Sequence, residues 1–263
     1  MNTNNILEHM IGKSPWVNPE RTVDTVKFGD AEKDIRKVAV CWYPSIQTIQ
    51  SAIDGQCDLL ITHEPTWWDH FDRPGGWREK GPGLEKTQLL EASELVVARL
   101  HDTWDNWPVL GIRDSLAKGL GLDKFIAEDE TRWHGMYEIP EQTLASFSKY
   151  IAERIAPLGQ DAVQVIGDPE MAVSHPSIGV GCGGPQEDMI DLGSDVLIMC
   201  FDGAPYWSLR DRLAEQGVGV ITLEHGTTEM WGMESMAKYI QSTWRELDVL
   251  YLDNHWKAWH VAV

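Results

Sequence analysis

The sequence predicts an α/β protein made of two related α/β lobes that face each other. Three observations carry this. Short apolar, β-branched runs alternate with amphipathic stretches of helical period. The runs lack the in-out alternation of a half-exposed strand, so they read as strands buried on both faces, in a sheet that is mostly parallel in the first half. The same order of elements then occurs a second time.

In the first half, VKFGD is a weak strand signal, and KVAVCWY (37–43), DLLITHE (58–64) and ELVVARLHD (94–102) are stronger ones. Between them SIQTIQSAIDG (45–55) and GLEKTQLLEAS (83–93) read as helices, and VLGIRDSLAKGLGL (109–122) as a helix stopped by glycine. The second half runs HPSIGVGCGG (175–184, strand), DMIDLGSDVLIMCFDG (188–203, helix and strand), APYWSLRDRLAEQG (204–217, helix), VGVITLEHG (218–226, strand) and TTEMWGMESMAKYIQSTWRE (227–246, helix). A strand, an amphipathic helix (136–155) and a further strand (161–169) link the halves. The tail, 248–263, reads as a final edge strand or an oligomer contact. At roughly 150 residues per domain, 263 residues divide into lobes at 1–125 and 126–263.

The halves overlay. DLLITH aligns with DVLIMC, which puts Asp58 on Asp195 and His63 on Cys200. ELVVARLHDTWD aligns with VGVITLEHGTTE, which puts His101 on His225 and Asp105 on Glu229: two His-x-x-x-acid motifs just past a strand.

Composition excludes several classes. The 43% hydrophobic and 24% charged content is that of a folded globular chain. With 41 acidic against 22 basic residues the net charge is −19, which disfavours binding to nucleic acid or anionic membranes. No apolar run is long enough to span a bilayer and no signal peptide is visible, so a cytoplasmic location is expected. Cys41, Cys57, Cys182 and Cys200 are scattered without a CxxC, and read as reduced core residues in a setting unsuited to metal.

Ligands of open α/β sheets bind beyond the carboxyl ends of the strands. There the sequence places His63, Glu64, Asp69 and His70; His101, Asp102 and Asp105; and Glu224, His225 and Glu229. Imidazoles and carboxylates converging from three loops form a donor set for divalent metal, rich enough for two ions that share and activate a water. His9, His134, His175, His255 and His260 lack such company and read as structural. Thirteen tryptophans are unusual, and Trp67, Trp68, Trp104, Trp107, Trp207 and Trp231 all follow or flank strand ends. They would either stack on a flat substrate, with Trp67, Trp104 and Trp231 the candidates, or fill core and interface space. The Gly/Pro-rich 71–83 segment, with Arg73, Arg78 and Lys80, is either a lid over the site or a solvated connection. Neither a Walker lysine nor a GxSxG elbow is present.

These residues resemble a family. DLLITHEP is similar to the DLIITHHP segment of the Nif-three-like, GTP cyclohydrolase I type 2-like proteins; HDTWD is similar to its HTNLD segment, and EHGTTEMWGMESMAKYI to its GHYATE segment and following helix. In matching order they span about residues 35–250. The resemblance implies a toroidal homohexamer and a dinuclear metal centre in the cleft between the lobes. It carries the metal ligands onto His63, Glu64, Asp105, His225 and Glu229, with His101 a further ligand or a residue that orients them. This chain has Glu64 where the family has a second histidine, which favours harder ions such as Mn, Mg or Fe over Zn. The function this implies is a metal-dependent hydrolase acting on a cyclic or nucleotide-like small molecule, with Glu64 or His101 moving the proton. The alternative is a non-enzymatic metal-binding scaffold or a regulator that binds a metabolite or protein.

Overall fold

The computed structural model describes residues 1–181, 186–203, 207–253 and 257–261. Cys182, His255 and most of the glycine turn at 180–186 lie outside them. The chain begins α1 (Thr3–Gly12), β1 (Val26–Phe28), β2 (Lys37–Cys41), α2 (Ile46–Asp54), β3 (Leu59–Thr62), α3 (Gly81–Glu91), β4 (Val96–Arg99) and α4 (Asp102–Asp105). It continues with α5 (Ile112–Leu120), β5 (Lys124–Glu128), β6 (His134–Glu138), β7 (Gln142–Thr143), α6 (Leu144–Ile155), β8 (Gln164–Ile166), β9 (Ala172–Val173) and β10 (Pro176–Gly179). Then come α7 (Glu187–Asp191), β11 (Val196–Cys200), α8 (Trp207–Glu215), β12 (Gly219–Leu223), α9 (His225–Thr243) and β13 (Asp248–Leu252).

The helices start and stop where local chemistry directs. Ser45 caps α2 by accepting the Thr48 amide on its hydroxyl, and Thr143 does the same for α6 through Ser146. α5 stops at Gly121, whose φ of 74° lies in the left-handed region that a glycine adopts without penalty.

The chain forms two compact units. One is Met1–Leu110 with Met233–Trp256; the other is Gly111–Gly232 with Lys257–Val263. This division differs from a break near residue 125 in two ways. α5 belongs to the second unit, because Leu116, Ala117 and Leu120 enter a core with Leu144, Phe147, Ile151 and Ile178. The chain also returns to the first unit, where β13 pairs with β2 in parallel from Asp248↔Lys37 to Leu252↔Cys41. The tail thus supplies an edge strand, but to the sheet of the first half.

The first unit holds a five-stranded sheet in the order β1-β4-β3-β2-β13. All neighbours are parallel except β1, which runs against β4. The second unit holds a six-stranded sheet, β5-β6-β10-β11-β12-β8, in which β10, β11 and β12 are parallel and the flanking strands antiparallel. β11 shows why its sequence does not alternate. Val196 and Ile198 enter one core cluster and Leu197 and Met199 another, so both faces of the strand are buried.

The repeat inferred from the overlay has a hydrogen-bonded counterpart. Asp58, before β3, accepts the amides of Arg36 and Lys37 at the start of the neighbouring β2, at 2.8 and 3.0 Å. Asp195, before β11, accepts the amides of Ser174 and His175 ahead of the neighbouring β10, at 2.6 and 2.9 Å. The two matched carboxylates do the same work: each ties the start of its strand to the start of the adjacent one.

Candidate metal centre

In the first unit His63 and Glu64 directly follow β3. The Trp42 carbonyl accepts both amides, at 3.2 and 2.9 Å, which holds this strand end in place. His63 is fully buried. Its Nδ1–H donates to the Leu100 carbonyl at 3.2 Å, which turns Nε2 toward Asp105 Oδ1, 3.3 Å away. Two acceptors then face each other, an arrangement that a cation or a proton between them reconciles. The His101 ring stacks on His63, and the edge of His70 meets His101 at 5.5 Å. Donor atoms of His63, Glu64 and His101 lie within 4.8 Å of one another.

Two residues that sequence reasoning missed shape this cluster. Asp24 is buried, and its carboxylate accepts three successive amides: His101 at 2.6 Å, Asp102 at 3.0 Å and Thr103 at 2.8 Å. Burial raises the Asp24 pKa. The fully buried Arg99 donates Nε to the His63 carbonyl at 2.6 Å, and a second nitrogen to the His70 carbonyl. Asp102 serves the same turn. It accepts the Thr22 hydroxyl at 2.8 Å and lies 2.9 Å from His101 Nδ1. Burial alone would raise the Asp102 pKa, but the His101 and Thr22 hydrogen bonds hold it well below the usual carboxylate range. Asp24 carries no motif; it stands just before β1, and nothing in the local sequence links it to the distant His101–Thr103 turn.

The second unit has a matching arrangement. His225 opens α9 and Glu229 lies one turn on. His225 Nε2 is 3.1 Å from Glu229 Oε1, and Nδ1 is 3.0 Å from Asp202 Oδ2. Burial would lower the His225 pKa, but the charges and hydrogen bonds of the buried Glu229 and Cys200 together outweigh it and drive it strongly upward. Gly181 fits over this pair. A Cβ there would fall against Glu229 Oε1 and 3.2 Å from His225 Nε2, and its φ is +45°. The backbone thus leaves the His225 and Glu229 donor atoms a cradle that a side chain would fill.

Cys200 corrects the sequence reading, which set the cysteines aside. It ends β11 where His63 follows β3, and its sulfur lies within 4.8 Å of donor atoms of Asp202 and His225. The overlay was the signal. Cys41 and Cys57 are free and buried, as expected of reduced core thiols, and burial pushes the Cys41 thiol up to about 12.

The tryptophan expectation is corrected too. Trp67 and Trp104 are 1% and 0% exposed and offer no open ring face. Trp67 donates its Nε1–H to Thr87 at 3.1 Å and carries the Arg78 guanidinium over its ring at 4.3 Å. Trp104 stacks on Trp107 and meets Tyr239. Trp231 packs on the second-unit core with its ring seated against Gly119. Among the described residues the exposed tryptophans are instead Trp68 and Trp77, 6.3 Å apart at a steep angle, with Trp133, Trp207 and Trp259. In the 71–83 segment, Arg73 pairs with Asp69, Arg78 lies over Trp67, and Lys80 lies over Trp77.

In each unit, histidines and carboxylates gather beyond the ends of parallel strands, which defines an α/β protein with candidate divalent-metal donor groups. Comparison with known proteins shows the family. Residues 16–255 match the model of the Duf34/NIF3 (NGG1p interacting factor 3) family, and the chain belongs to that family. It is 24% identical over 224 residues to the GTP cyclohydrolase 1 type 2 homolog of Deinococcus radiodurans, covering 85% of this chain and 82% of that one. It is 23% identical over 236 residues to the homolog of Chlamydia muridarum, covering 87% and 88%. A Bacillus cereus protein related to NIF3 shares the fold, with a TM-score of 0.81 at 11% identity over 100% and 99% of the two chains. Among the described residues no helix is long and apolar enough to cross a membrane.

Proposed function

We infer that the protein is a metal-dependent hydrolase that acts on a cyclic or nucleotide-like small molecule, with two divalent ions held by His63, Glu64, Asp105, His225 and Glu229. The observation that carries this reading is the repeated pair: His63 Nε2 against Asp105 at 3.3 Å in one unit, and His225 Nε2 against Glu229 at 3.1 Å in the other. When bound, such ions supply Lewis acidity and lower the pKa of water. The chain's own residues do the rest. The Leu100 carbonyl fixes the His63 tautomer so that Nε2 is the ligand atom. Asp105 and Glu229 contribute the negative charge that offsets the cations. His101, stacked on His63 and beside Asp102, is placed to take up or return a proton at its ring nitrogen, and Glu64 is the other group able to do so. The names of the relatives support the hydrolase reading, and the family resemblance is the ground for a homohexameric assembly.

The test is elemental analysis of protein purified without added metal or chelator, beside His63→Ala and Glu229→Ala, followed by hydrolysis assays on nucleotides and other cyclic compounds. About two transition-metal ions per chain, lost in the variants, with metal-dependent turnover, is the expected result. Absence of metal after reconstitution with Mn, Fe and Zn overturns the reading. Metal without turnover moves it to a metal-binding scaffold or regulator.

A further inference from the structure

We propose that the second unit carries an additional divalent transition-metal site, formed by Asp129, His134 and Asp188. The sequence reading set His134 aside as structural. It opens β6, and its side chain is 2% exposed. Its Nδ1 is buried and makes no hydrogen bond among the described residues. Leaving a buried ring nitrogen so is destabilising unless another partner takes its place.

The surroundings point to a cation. Asp129 Oδ2 lies 3.6 Å from His134 Nδ1, too far for a hydrogen bond. Two donors each ~2.1 Å from one tetrahedral ion are separated by roughly 3.4 Å, close to this spacing. Donor atoms of Asp129, His134 and Asp188 all lie within 4.8 Å of one another. The Asp129 carboxylate is held in position: it accepts the His134 amide at 2.7 Å and the Thr131 hydroxyl. Gly179 of β10 meets the other side of the His134 ring; a Cβ there would lie 3.1 Å from Cδ2, so the ring has little room to turn away. Asp188 arrives from α7, a five-residue helix.

One imidazole and two carboxylates suit Zn, Mn, Fe or Co, and three protein ligands leave further positions for water. The three come from the β5–β6 turn, the start of β6 and α7. An ion here would clip α7 to that hairpin.

The experiment is a Co²⁺ titration of the full chain carrying His63→Ala and His225→Ala, which removes a ligand from each cluster of the proposed centre. Metal content, visible absorption and thermal midpoint are read. The expected result is one remaining Co²⁺ per chain, with d–d bands and a raised midpoint, all lost on adding Asp188→Asn. Asp188 is half-buried, and a circular-dichroism spectrum of the Asp188→Asn variant matching the parent shows that loss of the ion is not loss of the fold. Binding of no Co²⁺ in the double variant overturns the site, as does a remaining ion that survives Asp188→Asn. Neither result bears on the hydrolase reading, which rests on other residues.

Discussion

The imidazoles of His63 and His101 are stacked, with ring centroids 4.5 Å apart and planes 24° apart. They come from the ends of adjacent parallel strands, β3 and β4. Each ring is oriented by a fixed acceptor, the Leu100 carbonyl for His63 and the Asp102 carboxylate for His101.

Asp24 is central to that construction. Asp24→Ala leaves three amides of the 101–103 turn without their acceptor in a buried setting. A loss of about 3 kcal/mol in unfolding free energy is expected, measured by urea denaturation. Metal content should fall with it, since the turn carries His101 and leads to Asp105. A variant as stable as the parent would show that water replaces the carboxylate.

Gly181→Ala tests the cradle over Glu229. The added methyl meets the carboxylate oxygen and occupies a left-handed backbone position. Metal affinity is expected to drop at least about tenfold, as for loss of a group supporting a ligand, while circular dichroism stays native. Unchanged affinity in a competition titration would mean that Glu229 does not ligate in this rotamer.

Glu64→His restores the imidazole of the family's segment. An added nitrogen donor should shift preference from Mn toward Zn. Zn and Mn dissociation constants, measured for the parent and the variant, check this; an unchanged ratio removes Glu64 from the ligand set.

Lys86 predicts a pH dependence. Its ammonium is buried, donates to Tyr43 Oη and the Thr66 carbonyl at 2.8 Å each, and lies 4.3 Å from the Tyr43 and Trp68 ring centres. Burial lowers its pKa from 10.5 to about 7, against the opposing pull of Asp72. Between those values the unfolded chain binds the proton and the folded chain does not, so stability rises with pH. The penalty is full below about 7 and gone above 10.5. The urea midpoint should therefore rise between about pH 6.5 and pH 9.5 by more in the parent than in Lys86→Met. Equal rises would place the titration elsewhere.

Much was legible because it is periodic or local. The strands announced themselves as short apolar runs, since a strand buried on both faces must be apolar at every position, as β11 is. The caps at Ser45, Thr143 and Gly121 are local chemistry. The repeat survived because Asp58 and Asp195 perform one task at one place, and it carried His101, Asp105, His225 and Glu229 to strand ends. What stayed hidden depends on partners distant in the chain. Asp24 serves amides 77 to 79 positions away, and β13 pairs with a strand more than 200 residues before it. Trp67 and Trp104 stand beside strand ends in sequence, but whether an aromatic ring faces a cavity or a core depends on what packs against it, and here both are enclosed. Composition, strand order and the strand-end histidines and acids were thus determined by the sequence by itself, because burial and hydrogen bonding constrain each segment separately. Cys200 beside His225, a buried His134 Nδ1 with no hydrogen bond among the described residues, and the closed tryptophans were decided by the tertiary structure alone, because only folding sets the distances between side chains.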